Sequence, residues 1–263
     1  MRKTTVICFA NNKGGSGKST TCSNVAYSMS ALGRRVLVID GDMQMNLTLS
    51  FFDEERALEY ARSGKNLYTA IKEQKDLEDF IVPTGYEGLD IIPSSTLMSG
   101  IEFELFTKWQ REWILKKSLE KVRASEKYDY ILIDAPPTLG CWVMNIMCAS
   151  DEMIVPVEAS PWGLFGLANM FEFFDQVKSI APDLSLMGIA ITKVSERKNY
   201  FRQTKETLSG WEGVRLFEHY IRVDSAIEWA QDNSKPVMVY KKNSRAAGEY
   251  TELAKEIMQY ADR

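Results

Sequence analysis

A glycine-rich segment near the start of the chain has the composition and spacing of a phosphate-binding loop. It follows an apolar run, residues 5–10, and its Gly17-Lys18-Ser19 core precedes a helix-like stretch. Small residues let several backbone N–H groups point at one phosphate, and the helix N-terminus adds a positive dipole. In such a loop Lys18 reaches the β- and γ-phosphates, and the Ser19 hydroxyl binds Mg²⁺. The predicted phosphate-binding residues are Lys13, Gly14, Gly15, Ser16, Gly17, Lys18, Ser19 and Thr20.

The loop departs from the standard pattern at its start. Asn12 stands where the first glycine is usual, and Lys13 adds a second lysine. The extra ammonium group either points into solvent or reaches a phosphate on a partner subunit, and the sequence leaves both alternatives open. A dinucleotide-binding loop is disfavoured because Thr20 occupies the position of its third glycine.

Three carboxylates follow apolar, strand-like runs elsewhere in the chain. Asp40 ends one run, Asp42 comes two residues later, and Asp134 ends another run. Because ligands of parallel sheets collect at the carboxyl ends of the strands, we expect these side chains to lie close to Lys18 and Ser19. Magnesium prefers oxygen ligands and needs only one or two carboxylates, which makes Asp134 the best candidate ligand.

Asp40 and Asp42 are spaced so that both side chains lie on one side of an extended segment. One can lean toward the water shell of the metal and the other toward the attacking water, because hydrolysis of a γ-phosphate depends mainly on positioning. The alternative roles are structural. The pair then forms a turn with Gly41, and Asp134 caps the turn after its strand.

Composition restricts the class of protein. The 263 residues can bury a sizeable core, and no run approaches the roughly 18–20 apolar residues of a membrane span. Four cysteines without a CxxC pair predict free thiols in the reducing cytoplasm. A net charge of −4 gives no general attraction to nucleic acid, so such a contact needs a local basic patch. The single histidine, His219, disfavours a histidine-based metal site or catalytic triad.

Strand-like and helix-like segments alternate along the chain, which predicts one α/β domain over residues 1–263. Uniformly apolar strands favour a mostly parallel sheet with helices on both faces. The predicted strands are 5–10, 36–40, 89–92, 130–134, 153–157 and 186–192. The predicted helices cover about 19–32, 101–125, 141–149, 164–180, 199–209 and 244–261. Residues 53–80, charged and irregular, are predicted as an excursion from the sheet.

Three motifs together resemble the ParA/MinD group of P-loop ATPases, the deviant Walker A family. Residues 13–19 match its KGGxGK[ST] loop, residues 40–46 resemble its DxDPQxN motif, and residues 128–137 resemble its YDYxxIDxPP motif. The likeness extends over nearly the whole chain. Met43 replaces the proline of the family and Ser16 its frequent valine, but neither change removes a charge or a ligand.

The resemblance implies a P-loop NTPase fold and a role for each charged residue of the site. Lys13, the signature lysine of the family, would reach across an ATP-sandwiched homodimer to the nucleotide of the partner. Asp42 would position the hydrolytic water, while Asp40 and Asp134 would act around Mg²⁺. The catalytic residues thereby implied are Lys13, Lys18 and Asp42, and the cofactors are ATP and Mg²⁺.

Two branches of the family differ in what they bind. ParA members bind DNA non-specifically in the ATP state and respond to a ParB-type partner, whereas MinD members bind membrane through a C-terminal helix. Residues 249–263 predict an amphipathic helix that is docked on the protein, because a membrane helix would be more cationic. The resemblance therefore implies a ParA-type partition ATPase that is cytoplasmic, nucleoid-associated when ATP-bound, and without membrane contact.

The resemblance also implies DNA-contacting residues. Arg197 and Lys198 occupy a loop similar to the ParA segment that carries a DNA-contacting arginine, and Arg222 resembles a second such position. Lys241 and Lys242 would extend the patch. Such backbone contacts are independent of DNA sequence and sensitive to salt, and a solvated basic surface is the alternative.

Several other functions share the same nucleotide site. The alternatives are an ATP-driven positioner of a protein cargo on the nucleoid, a MinD-like division regulator, and a metabolic enzyme that transfers phosphate. There is no room before Lys13 for a helix-turn-helix, which disfavours operator-specific repression. An iron–sulfur protein like the nitrogenase iron protein is disfavoured because Cys141 has no second cysteine near residues 93–99.

Overall fold

A computed structural model describes residues 4–160, 162–196, 199–211 and 213–262. The strands in these ranges are β1 (Thr5–Phe9), β2 (Val36–Asp40), β3 (Val82–Tyr86), β4 (Leu89–Ile92), β5 (Tyr130–Asp134), β6 (Glu152–Glu158) and β7 (Ser185–Thr192). The first helices are α1 (Lys18–Ala31), α2 (Asn46–Leu49), α3 (Glu54–Ser63), α4 (Leu67–Lys72), α5 (Ile101–Phe106) and α6 (Ile114–Ala124). The later helices are α7 (Cys141–Ala149), α8 (Leu167–Ile180), α9 (Tyr200–Ser209), α10 (Ser225–Asp232), α11 (Val237–Tyr240) and α12 (Arg245–Ala261).

The strands form one sheet with the order β3-β4-β2-β5-β1-β6-β7. Every neighbouring pair is parallel except β3 and β4, which are antiparallel. The central strands are buried along their whole length because helices cover both faces of the sheet, and their apolar sequences suit this environment. One core lies between the sheet and α5–α8, and the other lies against α1, α10 and α12. The predicted α/β class and the mostly parallel sheet are confirmed.

The register of the central strands places the acidic residues in one row. Strand β5 lies between β1 and β2, and Asp134 is level with Asp40 on one side and Phe9 on the other. Strand β1 ends in this row and continues directly into the glycine-rich loop. The carboxyl ends of β1, β2 and β5 therefore surround the start of α1.

The single helix predicted over residues 101–125 is wrong, because two helices occupy this range. Helix α5 ends at Phe106, Gln110 has a left-handed backbone with φ of 52°, and α6 begins at Ile114. Asn145 of α7 accounts for the break. Its Oδ1 accepts a hydrogen bond from the Leu115 N–H at 3.2 Å, and its Nδ2 donates to the Arg111 carbonyl at 2.6 Å.

The predicted irregular excursion over residues 53–80 contains regular structure. It forms α3, α4 and a short 3₁₀ turn over Leu77–Phe80. Side chains cap both helices. The Asp53 carboxylate accepts a hydrogen bond from the Arg56 N–H, and the side-chain oxygen Oδ1 of Asn66 accepts one from the Thr69 N–H. The charges that indicated irregular structure lie on the exposed face of α3.

The C-terminal helix is docked on the protein, as predicted. Helix α12 begins after Ser244, whose hydroxyl accepts from the Ala247 N–H. It buries Leu253 and Ile257 in the core that it shares with α1. In the described part of the chain, no helix combines the length and the apolar character needed to cross a membrane.

All four cysteines are free thiols in the described structure. Cys8, Cys22 and Cys148 are buried, and Cys141 is half-buried at the start of α7. Burial raises the pKa of Cys8 to about 12 and that of Cys148 to about 11. These thiols therefore stay protonated and pack as small apolar side chains.

Candidate functional site

A cavity of about 570 Å³ lies at the carboxyl ends of the central strands. Its lining combines the glycine-rich loop with the start of α1, the loop after β2, and the segment between β7 and α10. This is the edge of the sheet at which parallel α/β proteins bind ligands. The side chains with chemical significance there include Lys18, Ser19, Asp42, Thr192, Arg222 and Gln231.

The glycine-rich loop is held in a curved conformation that requires small residues. Gly15 and Gly17 have φ of 75° and 86°, in the left-handed region that favours glycine. A Cβ on Gly14 or Gly15 would meet no atom within 4 Å, which leaves space for a ligand against the backbone. The far side of the loop is fixed by β7, whose Thr192 hydroxyl donates to the Ser16 carbonyl at 2.8 Å.

Lys18 is a buried cation at the start of α1. Its ammonium group donates a hydrogen bond to the Lys13 carbonyl at 3.2 Å, which folds the side chain back over the loop. Burial lowers the pKa of Lys18, and the carboxylates of Asp134 and Asp42 oppose that shift. An anionic phosphate in the cavity would favour the charged lysine further.

Asp134 is a fully buried carboxylate whose nearest donor, the Ser19 hydroxyl, lies short of full hydrogen-bond geometry. Neither of its oxygens accepts a hydrogen bond from a described residue, although Ser19 and Lys18 lie near enough to favour its charged form. Burial raises the pKa of Asp134 well above its usual range, and the charge of Asp40 raises it further. A buried carboxylate in this condition is costly unless a cation pairs with it, so the site fits a magnesium ion.

Asp40 is also buried, but its oxygens already have partners. One accepts from the Thr48 N–H at 2.8 Å and from the Thr48 hydroxyl at 2.6 Å, while the other accepts from the Asp42 N–H at 3.1 Å. Burial raises the pKa of Asp40 to about 7, although the hydrogen bonds from Thr48 oppose the rise. Asp40 thus ties β2 to the first turn of α2, and its predicted place around the metal stays a prediction.

Asp42 lines the cavity and is held by its own loop. Its carboxylate accepts from the Gln44 N–H at 3.0 Å, and its carbonyl accepts from the Ser94 hydroxyl at 2.7 Å. The preceding Gly41 carbonyl accepts from the Trp142 indole at 2.8 Å. Sequence reasoning missed Ser94 and Trp142. Ser94 follows a predicted strand, so the strand-end rule could have found it, whereas Trp142 carries no such signal.

Within the single chain Lys13 is paired rather than free in solvent, and its contact with a partner subunit stays a prediction. Its ammonium group donates to Glu158 Oε2 at 3.0 Å and to the Ser160 hydroxyl at 3.3 Å, within its own chain. Its backbone N–H donates to Asn11 Oδ1 at 2.9 Å. Sequence reasoning missed Glu158, although this residue ends β6 at the same edge of the sheet.

Arg222 lies at the rim of the cavity and is paired with two carboxylates. Its guanidinium donates to Glu249 of α12 and, at 3.2 Å, to Glu196. It is thus close to the nucleotide site rather than on a separate basic face. The other two predicted DNA-binding residues, Arg197 and Lys198, lie outside the described residues.

Helix α10 closes the cavity on the side of α1. Its Gln231 side chain donates to the Thr20 hydroxyl at 2.8 Å. Asp224 fixes the start of the helix because its carboxylate accepts from the N–H groups of Ala226 and, in α12, of Ala246. Sequence reasoning missed this helix as part of the site, and it assigned Thr20 only to the phosphate loop.

Comparisons with known proteins agree with this geometry. The sequence model of a family described as an AAA domain matches residues 4–186. The sporulation initiation inhibitor protein Soj of Bacillus subtilis is 33% identical over 253 residues, covering 96% of this chain and 97% of that protein. The chromosome partitioning protein ParA of Caulobacter vibrioides is 31% identical over 254 residues, covering 96% and 93%.

A solved structure with the same architecture is that of cobyrinic acid a,c-diamide synthase from Mycobacterium smegmatis with a bound ATP analogue and magnesium. It has a TM-score of 0.83 and 25% sequence identity, covering 98% of this chain and 96% of that chain. The family match covers most of the chain, and both relatives align with it over nearly their full length. The glycine-rich loop, the acidic row beside it and these alignments together show that the protein belongs to the ParA/MinD-type P-loop ATPases.

Proposed function

We propose that the protein is a partition ATPase that hydrolyses ATP with Mg²⁺ and segregates plasmid or chromosomal DNA. The observation that carries the proposal is the buried, unpartnered Asp134 carboxylate beside Lys18 and Ser19. The charged form of this carboxylate is favoured by a bound cation, and the adjoining loop fits phosphates. The name of the Caulobacter relative states chromosome partitioning, and the structural neighbour contains an ATP analogue and magnesium.

The residues of the site divide the chemistry among them. Asp134 and Ser19 would hold the magnesium, which when bound offsets negative charge on the phosphates. Lys18 neutralises the β- and γ-phosphates while the N–H groups of the loop orient them. Asp42, at the mouth of the loop after β2, accepts a hydrogen bond from the attacking water and aligns it with the γ-phosphate. Asp40 keeps Asp42 in position through the Asp42 N–H.

Dimer formation requires Lys13 to change partners. In the single chain its ammonium group is paired with Glu158 and Ser160. We propose that ATP in two facing subunits attracts each Lys13 to the nucleotide of the other subunit. Both components of the present pair are about one-quarter exposed, so the pairing with Glu158 is worth roughly 0–1 kcal/mol and can be broken.

The ATP dimer is proposed to bind DNA without sequence specificity. Arg197, Lys198 and Arg222 are the candidate contacts, and a ParB-type partner would stimulate hydrolysis and release. The position of Arg222 at the rim of the nucleotide cavity supports a link between nucleotide state and DNA contact. Contacts of this type would weaken as salt increases.

The proposal is tested by measuring retention of a labelled non-specific DNA duplex with ATP and with ADP at about 50 mM salt. The Asp42→Ala variant should bind ATP, remain dimeric and stay on DNA, because it cannot position the water. Lys18→Ala is the matched control and should not respond to nucleotide. Equal retention with ATP and ADP, or no retention in either state, contradicts the DNA switch. Unchanged turnover in Asp42→Ala contradicts the water-positioning role.

A further inference from the structure

A second cavity of about 470 Å³ lies on the other side of the loop that carries Asp42. Its walls are formed by residues 43–49, helix α3 and the 3₁₀ turn Thr96–Gly100. Gln44 lines both this cavity and the nucleotide cavity. The loop after β2 is therefore a thin partition between the two cavities.

The partition is built to respond to an occupant of the second cavity. Its Met45 has a left-handed backbone with φ of 57°, which costs a non-glycine residue of the order of 1 kcal/mol. The Met45 N–H donates to the Asp42 carbonyl at 3.0 Å, and the Gln44 N–H donates to the Asp42 carboxylate. A group that displaces Met45 or Gln44 thus acts directly on the hydrogen bonds that orient Asp42.

The lining of the second cavity suits an apolar side chain. Met43, Met45, Leu49 and Leu58 are among its lining residues, and methionine adapts easily to different shapes. Met43 is 43% exposed, and Leu97 in the 3₁₀ turn is 55% exposed. The apolar surface therefore continues from the cavity to the outside of the molecule.

The charged residues beside the cavity indicate the charge of a complementary ligand. Glu54 lines it, Glu55 and Glu59 are exposed on the same helix, and Asp53 is exposed immediately before that helix. Helix α3 also carries two arginines. Arg56 is held over the Phe52 ring at 4.8 Å from its centroid, and Arg62 lies in the last turn, so the acidic residues at the start of the helix outnumber them. A ligand with positive charge is complementary to this surface.

We propose that the second cavity is a docking site for a cationic, amphipathic segment of a partner protein. An apolar side chain of the segment enters the cavity, and its lysines or arginines lie against α3. Docking moves Gln44 and thereby sets the position of Asp42 for hydrolysis. This inference rests on the proposed ATPase function and names the place where stimulation acts.

The test uses a synthetic helical peptide of about 14 residues with leucines on one face and arginines on the other. One control peptide has serine in place of leucine, and another has glutamate in place of arginine. Binding is followed by fluorescence anisotropy and stimulation by ATP turnover. The protein variants are Glu54→Lys, which reverses the charge of the rim, and Ser99→Trp, which fills the cavity. Ser99→Ala and Glu120→Lys, an exposed charge reversal on α6, are the matched controls.

We expect the leucine–arginine peptide to bind and to stimulate turnover several-fold. Both variants should weaken binding at least tenfold and abolish stimulation by the peptide, and Glu54→Lys should leave basal turnover unchanged. Absence of binding, equal binding of the serine or glutamate peptide, or unchanged binding to both variants overturns the docking site. Peptide binding that depends on Glu54 in a chain without ATPase activity would contradict the proposed function and leave the docking site intact. ATPase activity in a chain that does not bind the peptide would contradict the docking site and leave the proposed function intact.

Discussion

Asp134 and Lys18 show that burial disfavours the charged side chains of the site when no ligand is bound. Burial raises the pKa of Asp134 and lowers that of Lys18, so burial in the nucleotide-free protein disfavours the charged form of both side chains. Phosphate and magnesium reverse both preferences. The nucleotide-free chain therefore carries electrostatic strain at the place where the ligand would bind, a common cost of function to stability.

This strain predicts a pH dependence of stability. A carboxyl whose pKa is raised by folding binds more protons in the folded state, so stability decreases as pH rises from its unfolded pKa through its folded pKa. Asp40, raised from 3.8 to about 7, and Asp134, raised well above 3.8, both act in this direction. The melting temperature of the nucleotide-free protein in EDTA should therefore fall between about pH 5 and pH 8. In Asp134→Asn the fall should be smaller and the melting temperature at about pH 8 higher by a few degrees.

Asp183→Asn, an exposed carboxyl beyond α8, is the control for this experiment and should show the wild-type slope. The same slope in Asp134→Asn and in the wild type would mean that folding does not raise the pKa of the Asp134 carboxyl.

Lys13 provides a second prediction at the level of one side chain. Lys13→Ala should leave nucleotide binding unchanged and abolish both ATP-dependent dimerisation and hydrolysis, because the proposed contact is made to the partner. Glu158→Gln removes the competing carboxylate within the chain. An exposed pair of this kind is worth up to about 1 kcal/mol and the dimer breaks two of them, so the ATP dimer should become up to roughly thirtyfold tighter. Sedimentation with a non-hydrolysable ATP analogue measures the change.

Weaker dimerisation in Glu158→Gln would show that Glu158 supports the dimer rather than holding Lys13 in the monomer. Normal hydrolysis in Lys13→Ala would place the second lysine on the surface with no role in catalysis.

At the scale of elements, the close approach of β2 and β5 depends on Gly41. A Cβ there would lie 2.7 Å from the Asp134 carbonyl oxygen and 3.0 Å from a methyl group of Ile146. Gly41→Ala should therefore destabilise the protein by about 1–3 kcal/mol and displace Asp42 and Asp134, with loss of turnover. Thermal unfolding and ATP hydrolysis measure the two effects.

Gly248→Ala is the matched control for this substitution. Gly248 lies in α12, and a Cβ there would meet nothing within 4 Å. Removing a helical glycine should stabilise the protein by roughly 0.5–1 kcal/mol and leave turnover unchanged. If Gly41→Ala, like Gly248→Ala, lowered neither stability nor turnover, the ends of β2 and β5 would be able to move apart enough to accommodate a Cβ at residue 41.

The elements differ in how far the sequence predicted them. Strands β2, β4 and β5 were predicted with their observed bounds, because apolar runs that end in polar residues are local signals. The break between α5 and α6 was not predicted, since Asn145 supplies its hydrogen bonds from another helix. Strand β3 was missed for a related reason. Its Pro83 and Gly85 disfavour a strand, but an edge position beside β4 tolerates them.

At the scale of the whole molecule, a pair of exposed aromatic side chains lies beside the phosphate loop. Trp162 and Phe165 are 71% and 76% exposed, with ring centroids 6.3 Å apart. The end of their loop, Gly166, abuts the Asn12 side chain. The same loop follows Ser160, a partner of Lys13. A dimer that buries the face carrying Lys13 would therefore also cover the exposed rings of Trp162 and Phe165.

The whole-molecule prediction is that Trp162→Ala weakens the ATP-dependent dimer at least tenfold without changing nucleotide affinity. Truncation of a tryptophan buried in an interface commonly costs 2 kcal/mol or more, which supports roughly this magnitude. Trp109→Ala is the control, because Trp109 is 89% exposed in the segment between α5 and α6. Light scattering with ATP distinguishes the two variants, and an equal effect of both would contradict an interface at the phosphate loop.

The sequence by itself determined the α/β class, the phosphate loop and the acidic residues at the strand ends, because these follow from residue type and local periodicity. Only the tertiary structure decided how the charges are partnered. Lys13 contacts Glu158, which lies 145 residues further along the chain, and Asp40 accepts hydrogen bonds from Thr48. Asp134 accepts no hydrogen bond of full geometry from the residues that the structure describes. The tertiary structure also made the Asp42 loop a partition between two cavities. Such pairings depend on which segments the sheet brings together, and spacing along the chain does not encode that.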